Sequence, residues 1–327
     1  PDPCVRDENG KQRIAREEID KMLAFYKKDY KTDKADGFTK PENGTLVINS
    51  GNIKFDFNLR TATFDSISCN GFEILNAPVK LNFMRAPTDN DSMRGDWYRA
   101  HLHDYDTKIY GIKVESIEGK KSSKITKITV KESFGWNIYQ PFFYGYVIYT
   151  IDENGELSVS FDLTASSKLL FLPRIGLRFF VKKSFDTAEY LGYGPTESYI
   201  DKHQACYVGK FTAKIKDMFE PYIRPQENSS HYHCSYAKVI NKKNKLAIIC
   251  TGVDGKKISF NASEYSQEEL YTRRHNFELE KDSSNVICFD YKMAGVGSNS
   301  CGPVLAEKYR IGLPKVNGEL RIRIETV

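Results

Sequence analysis

Short runs of alternating hydrophobic and polar residues make up most of the chain. In one of them Ile53, Phe55, Phe57 and Leu59 occupy every second position, and residues 320–324 show the same alternation near the C-terminus. Successive side chains of a β-strand point to opposite faces, so a period of two predicts strands that bury one face.

Turn-forming pairs separate these runs. Residues 152–155 read DENG and join the run at 146–151 to the run at 157–163. Asn and Gly tolerate the positive φ of tight hairpin turns, so this segment predicts an antiparallel hairpin. Further Asn-Gly or Asp-Gly pairs occur at residues 43–44, 70–71, 254–255 and 317–318. Many short strands with such turns predict an all-β, antiparallel sandwich.

Two segments depart from this pattern. Residues 13–30 predict an amphipathic helix, because their apolar side chains recur at helical spacing, and residues 31–41 are small and charged, as in a linker. We therefore predict that residues 1–40 lie outside the sandwich and that 41–327 form it. The helical face consists of Ile19, Met22, Leu23 and Tyr26.

A second, shorter helix is predicted in residues 266–274. Ser266 and Glu269 have the spacing of a capping box, in which a serine hydroxyl and a glutamate carboxylate satisfy free backbone amides at a helix start. Leu270 follows as the first apolar residue of the helix.

Composition excludes several classes of protein. With 40% hydrophobic and 28% charged residues the chain is neither disordered nor membrane-embedded. No apolar run approaches the roughly 18 residues of a membrane span. The 48 basic and 43 acidic residues are spread along the chain without a basic stripe, so we expect neither nucleic acid nor a membrane as a partner.

The seven cysteines are widely spaced and include no C-x-x-C pair. An odd number without such spacing predicts free, mostly buried thiols rather than a disulfide framework or a zinc site. Free thiols favour a reducing compartment, so we expect a cytoplasmic protein. The chain begins with Pro1 rather than Met and shows no apolar leader.

The first candidate site follows an apolar strand in residues 81–91, LNFMRAPTDND. Asp89, Asn90 and Asp91 can accept hydrogen bonds from sugar hydroxyls, and Arg85 can pair with one of the two aspartates and fix the loop. The alternative interpretation is a turn stapled by one salt bridge.

The second candidate site is residues 191–201, LGYGPTESYID, which gather Tyr193, Glu197, Tyr199 and Asp201 on a glycine- and proline-bent path. Aromatic faces beside carboxylates suit a carbohydrate, but the residues themselves favour a β-turn corner with buried tyrosines. A glycosidase needs two carboxylates that flank the scissile bond. The spacing of the acidic residues reveals no such pair, so we assign no catalytic residue.

Other motifs carry weaker signals. The doublets His101-x-His103 and His231-x-His233 would each place two imidazoles on one strand face, as metal sites in β proteins do. A third ligand is not indicated, so we assign no metal site. Residues 295–303, GVGSNSCGP, lack the Lys-Ser/Thr ending of a phosphate loop.

Several segments match the motifs of one known family in their residues and in their order along the chain. Residues 85–91 match a RAP-x-DND signature, with Trp97 following, and residues 192–205 match a G-x-GP-x-E-x-Y-x-D-R corner, except that Lys202 replaces the arginine. The other matches are MFEPYIRPQEN at 218–228, FNASEYSQEEL at 260–270 with His275, and MAGVGSNSCGP at 293–303. On these motifs the chain resembles the C-terminal, small-chain domain of glycoside hydrolase family 2 β-galactosidases.

The resemblance covers residues 45–327 and implies a large antiparallel β-supersandwich similar to galactose mutarotase, with a short N-terminal extension. For residues 1–40 it implies the tail of a preceding immunoglobulin-like domain, whose last strand would be residues 11–19. That interpretation competes with the predicted helix.

The resemblance also implies a function. In the family this domain closes one side of a sugar pocket, while a TIM barrel supplies both catalytic glutamates and the metal site for hydrolysis of terminal β-D-galactosides. The expected partners are therefore the barrel and sandwich domains of a parent enzyme and its β-galactoside. Mg²⁺ and a monovalent cation would bind through those other domains, with no cofactor in this chain, and the chain alone would be inactive.

The site residues implied by the resemblance lie in two loops. The loop at 298–303 borders the galactose pocket, and Cys301 stands where the best-known branch of the family has a tryptophan. The loop at 89–95 resembles a mobile loop near the active site. The predicted substrate-binding residues are Arg85, Asp89, Asn90, Asp91, Asn299, Ser300 and Cys301.

Two other functions remain open at this point. A free-standing aldose 1-epimerase would need a carboxylate base and a histidine acid in one groove, for which Glu197 and His275 are the candidates. A structural module that mediates subunit contacts would need neither.

Overall fold

A computed structural model describes residues 24–25, 37–118, 124–136, 139–165 and 169–327. Of the predicted helix at 13–30 it describes only Ala24 and Phe25, which are helical. The rest of that helix, most of the linker and the alternative strand at 11–19 lie outside the described residues.

Strands dominate the described chain. They are β1 (Thr45–Ser50), β2 (Ile53–Asn58), β3 (Thr63–Cys69), β4 (Phe72–Glu73), β5 (Leu75–Asn82), β6 (Asp106–Glu118), β7 (Lys124–Gly135), β8 (Phe143–Ile151), β9 (Leu157–Ala165), β10 (Arg174–Lys182), β11 (Thr187–Gly194), β12 (Tyr207–Lys214), β13 (Ser230–Cys234), β14 (Tyr236–Asn241), β15 (Leu246–Gly252), β16 (Ile258–Ser263), β17 (Ser284–Met293) and β18 (Lys315–Thr326). Two short helices are α1 (Arg94–Arg99) and α2 (Gln267–Thr272), and 3-10 turns occur at Ile215–Asp217, Asn276–Glu278 and Glu307–Tyr309.

The strands form three antiparallel sheets. The smallest runs β1-β2-β3-β4, the middle one β13-β16-β17-β10-β5, and the largest β12-β11-β14-β15-β18-β9-β8-β7-β6. The predicted all-β, antiparallel architecture is therefore confirmed.

Burial differs between the two larger sheets. Along β9 buried residues alternate with more exposed ones, as the sequence pattern predicts. All six residues of β16 are buried, and the first seven residues of β17 are buried in succession. A strand that is covered on both faces loses the alternation. The centre of the five-stranded sheet is thus covered on both faces, and polar side chains on β16 and the buried part of β17 are removed from water.

The small sheet closes one end of the core. Phe57 and Phe64 both pack edge-on against Tyr149 of β8, each with ring centroids 5.4 Å apart. Phe55 and Phe64 belong to the same continuous hydrophobic cluster as the inner strands. Aromatic pairs of this geometry add to the stabilisation from area burial.

The predicted hairpin joins β8 to β9. Ile151 lies opposite Leu157, and the amide of Gly155 donates to the carbonyl of Asp152 across the turn. Gly155 has a φ of +77°, and a Cβ there would lie 2.6 Å from Ile53 Cδ1. Both the backbone angle and the space therefore require glycine.

The helix predicted near residue 266 is α2. Ser266 Oγ accepts a hydrogen bond from the amide of Glu269 at 3.2 Å, which confirms the N-cap. The Glu269 carboxylate accepts from Arg273 and from the amide of Glu280 at 2.7 and 2.9 Å instead of turning back to Ser266. Only half of the capping box forms, because a cation four residues further along competes for the carboxylate.

The cysteines agree with the prediction of free thiols. Cys69, Cys234, Cys250 and Cys288 are free and buried, whereas Cys301 is free and exposed. None of the helices in the described ranges combines the length and apolar character that a membrane span requires.

Candidate functional site

Four of the motif segments meet at one end of the sandwich. We call this place the motif junction and define it by residues 85–92, 192–205, 218–228 and 293–303. These segments leave different strands, and residues that bond across them are up to 210 positions apart, so only the sheet order brings them together.

Arg85 joins the first segment to the last. Its guanidinium is fully buried and donates to Asp91 Oδ1 at 2.7 Å and to the carbonyls of Ala294 and Gly295 at 2.7 and 2.9 Å. It also lies over the buried ring of Trp97, 5.5 Å from its centroid. The pairing that the sequence left open between two aspartates is therefore with Asp91.

Asp91 also shapes its own turn. Its Oδ2 accepts hydrogen bonds from the amide and the hydroxyl of Thr88 at 2.8 and 3.1 Å. Asp91 and Arg85 are both buried and bond within the protein. Asp89 is exposed, with Arg224 3.9 Å away and its amide bonded to Gln226 at 3.1 Å. The loop thus holds Arg85 and Asp91 inside and presents Asp89 outward.

The exposed rim of the motif junction contains four of the predicted binding residues. Asn90 Oδ1 accepts from the amide and the hydroxyl of Ser300 at 3.3 and 2.8 Å. Ser92 Oγ accepts from Asn299 Nδ2, and Cys301 is exposed beside them. These bonds hold the loops 89–92 and 298–301 side by side.

Asp201 links segment 192–205 to segment 293–303. Its carboxylate accepts hydrogen bonds from the amides of Val296 and Gly297 at 3.0 and 2.7 Å. A Cβ on Gly295 would lie 2.6 Å from the Asp201 carboxyl group. Gly295 therefore allows the backbone of this loop to approach the Asp201 carboxylate closely.

Glu197 links segment 192–205 to segment 218–228. Its carboxylate accepts from the Tyr222 hydroxyl, from Tyr199 Oη at 3.2 Å and from the amide of Ser229 at 3.0 Å. Burial, with the bond to Glu197, raises the pKa of Tyr222, so this phenol keeps its proton and donates. The predicted grouping of Tyr199 with Glu197 is confirmed.

A second buried arginine lies beneath the motif junction. Arg174 donates to Glu227 at 2.9 Å and lies 3.1 Å from Asp290 on β17, without hydrogen-bond geometry to the latter. Burial raises the pKa of Asp290 to about 7, opposed by the attraction of Arg174. Burial likewise raises the pKa of Glu227, again opposed by Arg174. This cluster was not predicted from the sequence, in which the glutamate of PQEN was the one available signal.

The two epimerase candidates have other partners. Glu197 is held by its three donors, whereas His275 Nδ1 lies 3.4 Å from Glu278 and the ring stacks on Phe277 at 5.2 Å. Within the described residues no hydrogen bond or ion pair joins Glu197 to His275.

The prediction that each histidine doublet shares a strand face is wrong. His101 follows α1 with a φ of +58°, and His103 lies in a bend. On β13 a register shift separates the two rings. His231 is buried against Tyr190, with centroids 3.9 Å apart, while His233 is exposed with a φ of +59°. In the part of the chain that the structure describes, no three His, Cys, Asp or Glu side chains form a group that could hold a metal ion.

A family model described as the β-galactosidase small chain matches residues 49–324, which include all four segments of the motif junction. The chain belongs to the β-galactosidase small-chain family.

Individual relatives agree with this membership. The chain is 34% identical over 283 residues to a β-galactosidase of Actinobacillus pleuropneumoniae, a match that covers 86% of this chain and 26% of that protein. A β-galactosidase of Staphylococcus xylosus is 31% identical over 256 residues, covering 78% and 25%. One of Kluyveromyces lactis is 28% identical over 309 residues, covering 91% and 29%. The chain thus spans about a quarter of the length of these relatives.

Among solved structures, a galactose mutarotase-like protein of Lactobacillus casei matches with a TM-score of 0.47 and 13% identity, covering 86% of this chain and 100% of that one. A putative aldose 1-epimerase of Escherichia coli matches with a TM-score of 0.44 and 10% identity, covering 87% and 99%.

Proposed function

We propose that this small-chain domain belongs to a β-galactosidase of glycoside hydrolase family 2 and that its motif junction forms one side of the galactose pocket. The observation that carries the proposal is the meeting of four family segments at one surface. Residues 41–327 would be the domain itself, and residues 1–40 the tail of a preceding domain. The match to a quarter of much longer β-galactosidases supports such a division.

The side chains of the motif junction divide into two groups in this proposal. Arg85, Asp91 and Asp201 hold the loops in place, because their charges bond to protein groups. The sugar-facing group is exposed or partly exposed and offers acceptors and donors that suit hydroxyl groups. It consists of Asp89, Asn90, Asn299, Ser300 and Cys301.

Catalysis requires groups from elsewhere in the parent enzyme. Glycoside hydrolysis uses two carboxylates that flank the bond to be cleaved. Glu197, Glu227 and Asp290 are each directed toward protein donors or a buried arginine. A barrel domain would supply the catalytic glutamates together with Mg²⁺ and a monovalent cation, and this chain would contribute substrate contacts.

The test uses the parent enzyme with Ser300→Ala. If Ser300 borders the sugar, loss of its hydroxyl should raise the KM for a chromogenic β-galactoside several-fold, since one hydrogen bond is worth about 1 kcal/mol. Ser283→Ala is the matched control, because Ser283 is an exposed serine outside the junction. Equal KM values in both variants and in the unmodified enzyme would remove the loop 298–303 from the pocket.

A further inference from the structure

A polar cavity lies outside the motif junction, between the small sheet and the two larger ones. It has a volume of about 560 Å³ and is lined by residues of β3, β5, β6, β7, β8, β10 and α2, by the turn between β2 and β3 and by the loop 103–105. That volume is within the usual range of small-molecule sites. None of its described lining residues belongs to the motif junction.

Glu132 of β7 is the unusual group in this cavity. Its side chain lines the cavity and is 3% exposed. Within the described residues its carboxyl group makes no hydrogen bond or ion pair, and burial raises its pKa to about 8. A buried polar group without a partner is costly to stability. A buried carboxyl group with a shifted pKa that faces a cavity marks a candidate binding site.

The charges around Glu132 balance one another. Among the described lining residues three cations, Arg60, Lys80 and Arg178, accompany three other carboxylates, Asp104, Asp106 and Glu268. Arg178 and Glu268 bond to each other at 2.8 and 2.9 Å. A cavity with balanced charges and many hydrogen-bonding groups favours a neutral ligand that carries several hydroxyls.

An aromatic patch adjoins the cavity. Trp136 and Tyr139 are 37% and 51% exposed, and their ring centroids are 5.7 Å apart. His101 stacks on Trp136 at 4.8 Å and on Tyr139 at 5.3 Å. His103, which lines the cavity, stacks on His101 at 5.8 Å. These four rings therefore form a continuous row of contacts from the surface to the cavity.

Asp106 connects the two features, because it lines both the cavity of Glu132 and the adjoining surface pocket that contains Trp136 and Tyr139. Exposed aromatic faces bind the C–H faces of sugars, while polar groups beside them bind the hydroxyls. The histidine doublet at 101 and 103 then has a stacking role instead of the metal-binding role that its spacing suggested.

We propose that the cavity of Glu132, together with the patch of Trp136, Tyr139 and His101, is a second binding site for a neutral carbohydrate. A sugar ring stacks on the patch, and hydroxyl groups of the ligand complete the hydrogen bonds of Glu132. The site is independent of the galactose pocket and of its proposed role in hydrolysis.

The test titrates the 327-residue chain with lactose, cellobiose and D-galactose. The chain has two tryptophans, Trp97, which is buried, and Trp136. Quenching of fluorescence by acrylamide therefore reports mainly on Trp136, and a bound sugar should protect it. Saturable protection by at least one of the three sugars is the expected result, and its absence with all three would overturn the proposal.

Variants locate the bound sugar. Glu132→Leu and Trp136→Ala should each weaken binding about tenfold, equivalent to about 1.4 kcal/mol. Glu132→Gln, which still donates and accepts, should bind within a few-fold of the unmodified chain. Tyr207→Ala is the matched control, because Tyr207 is an exposed aromatic residue on β12.

Two further results distinguish this site from the galactose pocket and from a purely structural role of Glu132. Ser300→Ala in the motif junction should leave the protection of Trp136 by the sugar unchanged, and a loss of that protection would assign the binding to the galactose pocket and overturn the second site. The melting temperature of Glu132→Leu should not fall, because the lost group has no protein partner. Unchanged affinity in both Glu132→Leu and Trp136→Ala would likewise overturn the proposal.

Discussion

At the scale of single residues, burial separates side chains that look alike in the sequence. Asp89 and Asp91 lie two positions apart in one motif, yet Asp89 is exposed and Asp91 is buried against Arg85. A sugar can reach the first, while the second keeps the loop in place. The direct sugar contact that we predicted for Arg85 and Asp91 is replaced in our proposal by this supporting role.

Arg85→Met should destabilise the domain strongly. The substitution leaves the carboxylate of Asp91 and two backbone carbonyls without their donor in a buried place. Breaking a buried ion pair on one side costs about 3–5 kcal/mol. Urea denaturation measures the loss. The stability of Arg85→Lys should lie between those of the unmodified protein and Arg85→Met, because lysine keeps the charge but lacks the planar guanidinium group. Equal stability of all three proteins would contradict this role.

Glu132 should make stability depend on pH. Burial raises the pKa of its carboxyl group from 4.5 to about 8, so between these values the folded protein binds a proton that the unfolded chain has lost. The stability that this bound proton contributes is therefore fully present below about pH 4.5 and is lost as the pH rises to about 8. Glu132→Gln cannot titrate, and the pair of Arg178 and Glu268 is the same in both proteins.

The measurement is the difference in melting temperature between Glu132→Gln and the unmodified chain. The melting temperature of Glu132→Gln minus that of the unmodified chain should increase from about pH 6 to about pH 9, because only the unmodified chain loses stability as Glu132 ionises. The phenols of Tyr105 and Tyr149, which also line the cavity, have pKa values raised by burial and stay protonated in this interval. A difference that is constant with pH would show that Glu132 is ionised throughout.

At the scale of elements, the local sequence pattern predicted the strands correctly wherever one face of a strand meets water. The hairpin of β8 and β9 and the helix α2 form where alternation, turn residues and the Ser266 cap place them. The inner strands β16 and β17 follow no alternation, because both of their faces are covered. The histidine doublets failed for a related reason, since a turn and a bulge interrupt the strand geometry that the spacing assumed.

The hairpin turn offers a test of this element. Gly155→Ala should destabilise the domain, because a side chain there meets an unfavourable φ and collides with Ile53. Gly255→Ala is a matched control, since Gly255 has a similar φ of +73° but open space around its Cα. We expect a cost of about 1 kcal/mol for the control and clearly more for Gly155→Ala. Equal shifts of the urea midpoints would show that the contact with Ile53 is unimportant.

At the scale of the whole molecule, the sheet order assembles two separate polar regions. The motif junction gathers four segments at one end, and the cavity of Glu132 lies where the small sheet meets the other two. The first would complete the pocket of a larger enzyme, and the second needs no other domain.

The 327-residue chain alone should not hydrolyse β-galactosides. The reaction needs an acid and a nucleophile or base on opposite sides of one bond, and Glu197, Asp201 and Glu227 of the motif junction are held by protein donors. Release of nitrophenol from nitrophenyl β-galactoside should equal the rate in buffer. Turnover above that rate that disappears in Glu197→Gln or Glu227→Gln would place catalysis in this domain and contradict the proposed division.

Sequence alone determined the strand-rich antiparallel class, the hairpin at 152–155, the cap at Ser266 and the five family motifs, because periodicity, turn chemistry and short motifs are local properties of a chain. Tertiary structure decided which charges are buried, which aspartate pairs with Arg85, and that Arg174, Glu227 and Asp290 meet. It also placed Glu132 in a cavity. Those outcomes depend on contacts between residues far apart in the chain and on the exclusion of water around them, and neither is encoded in any short window of sequence.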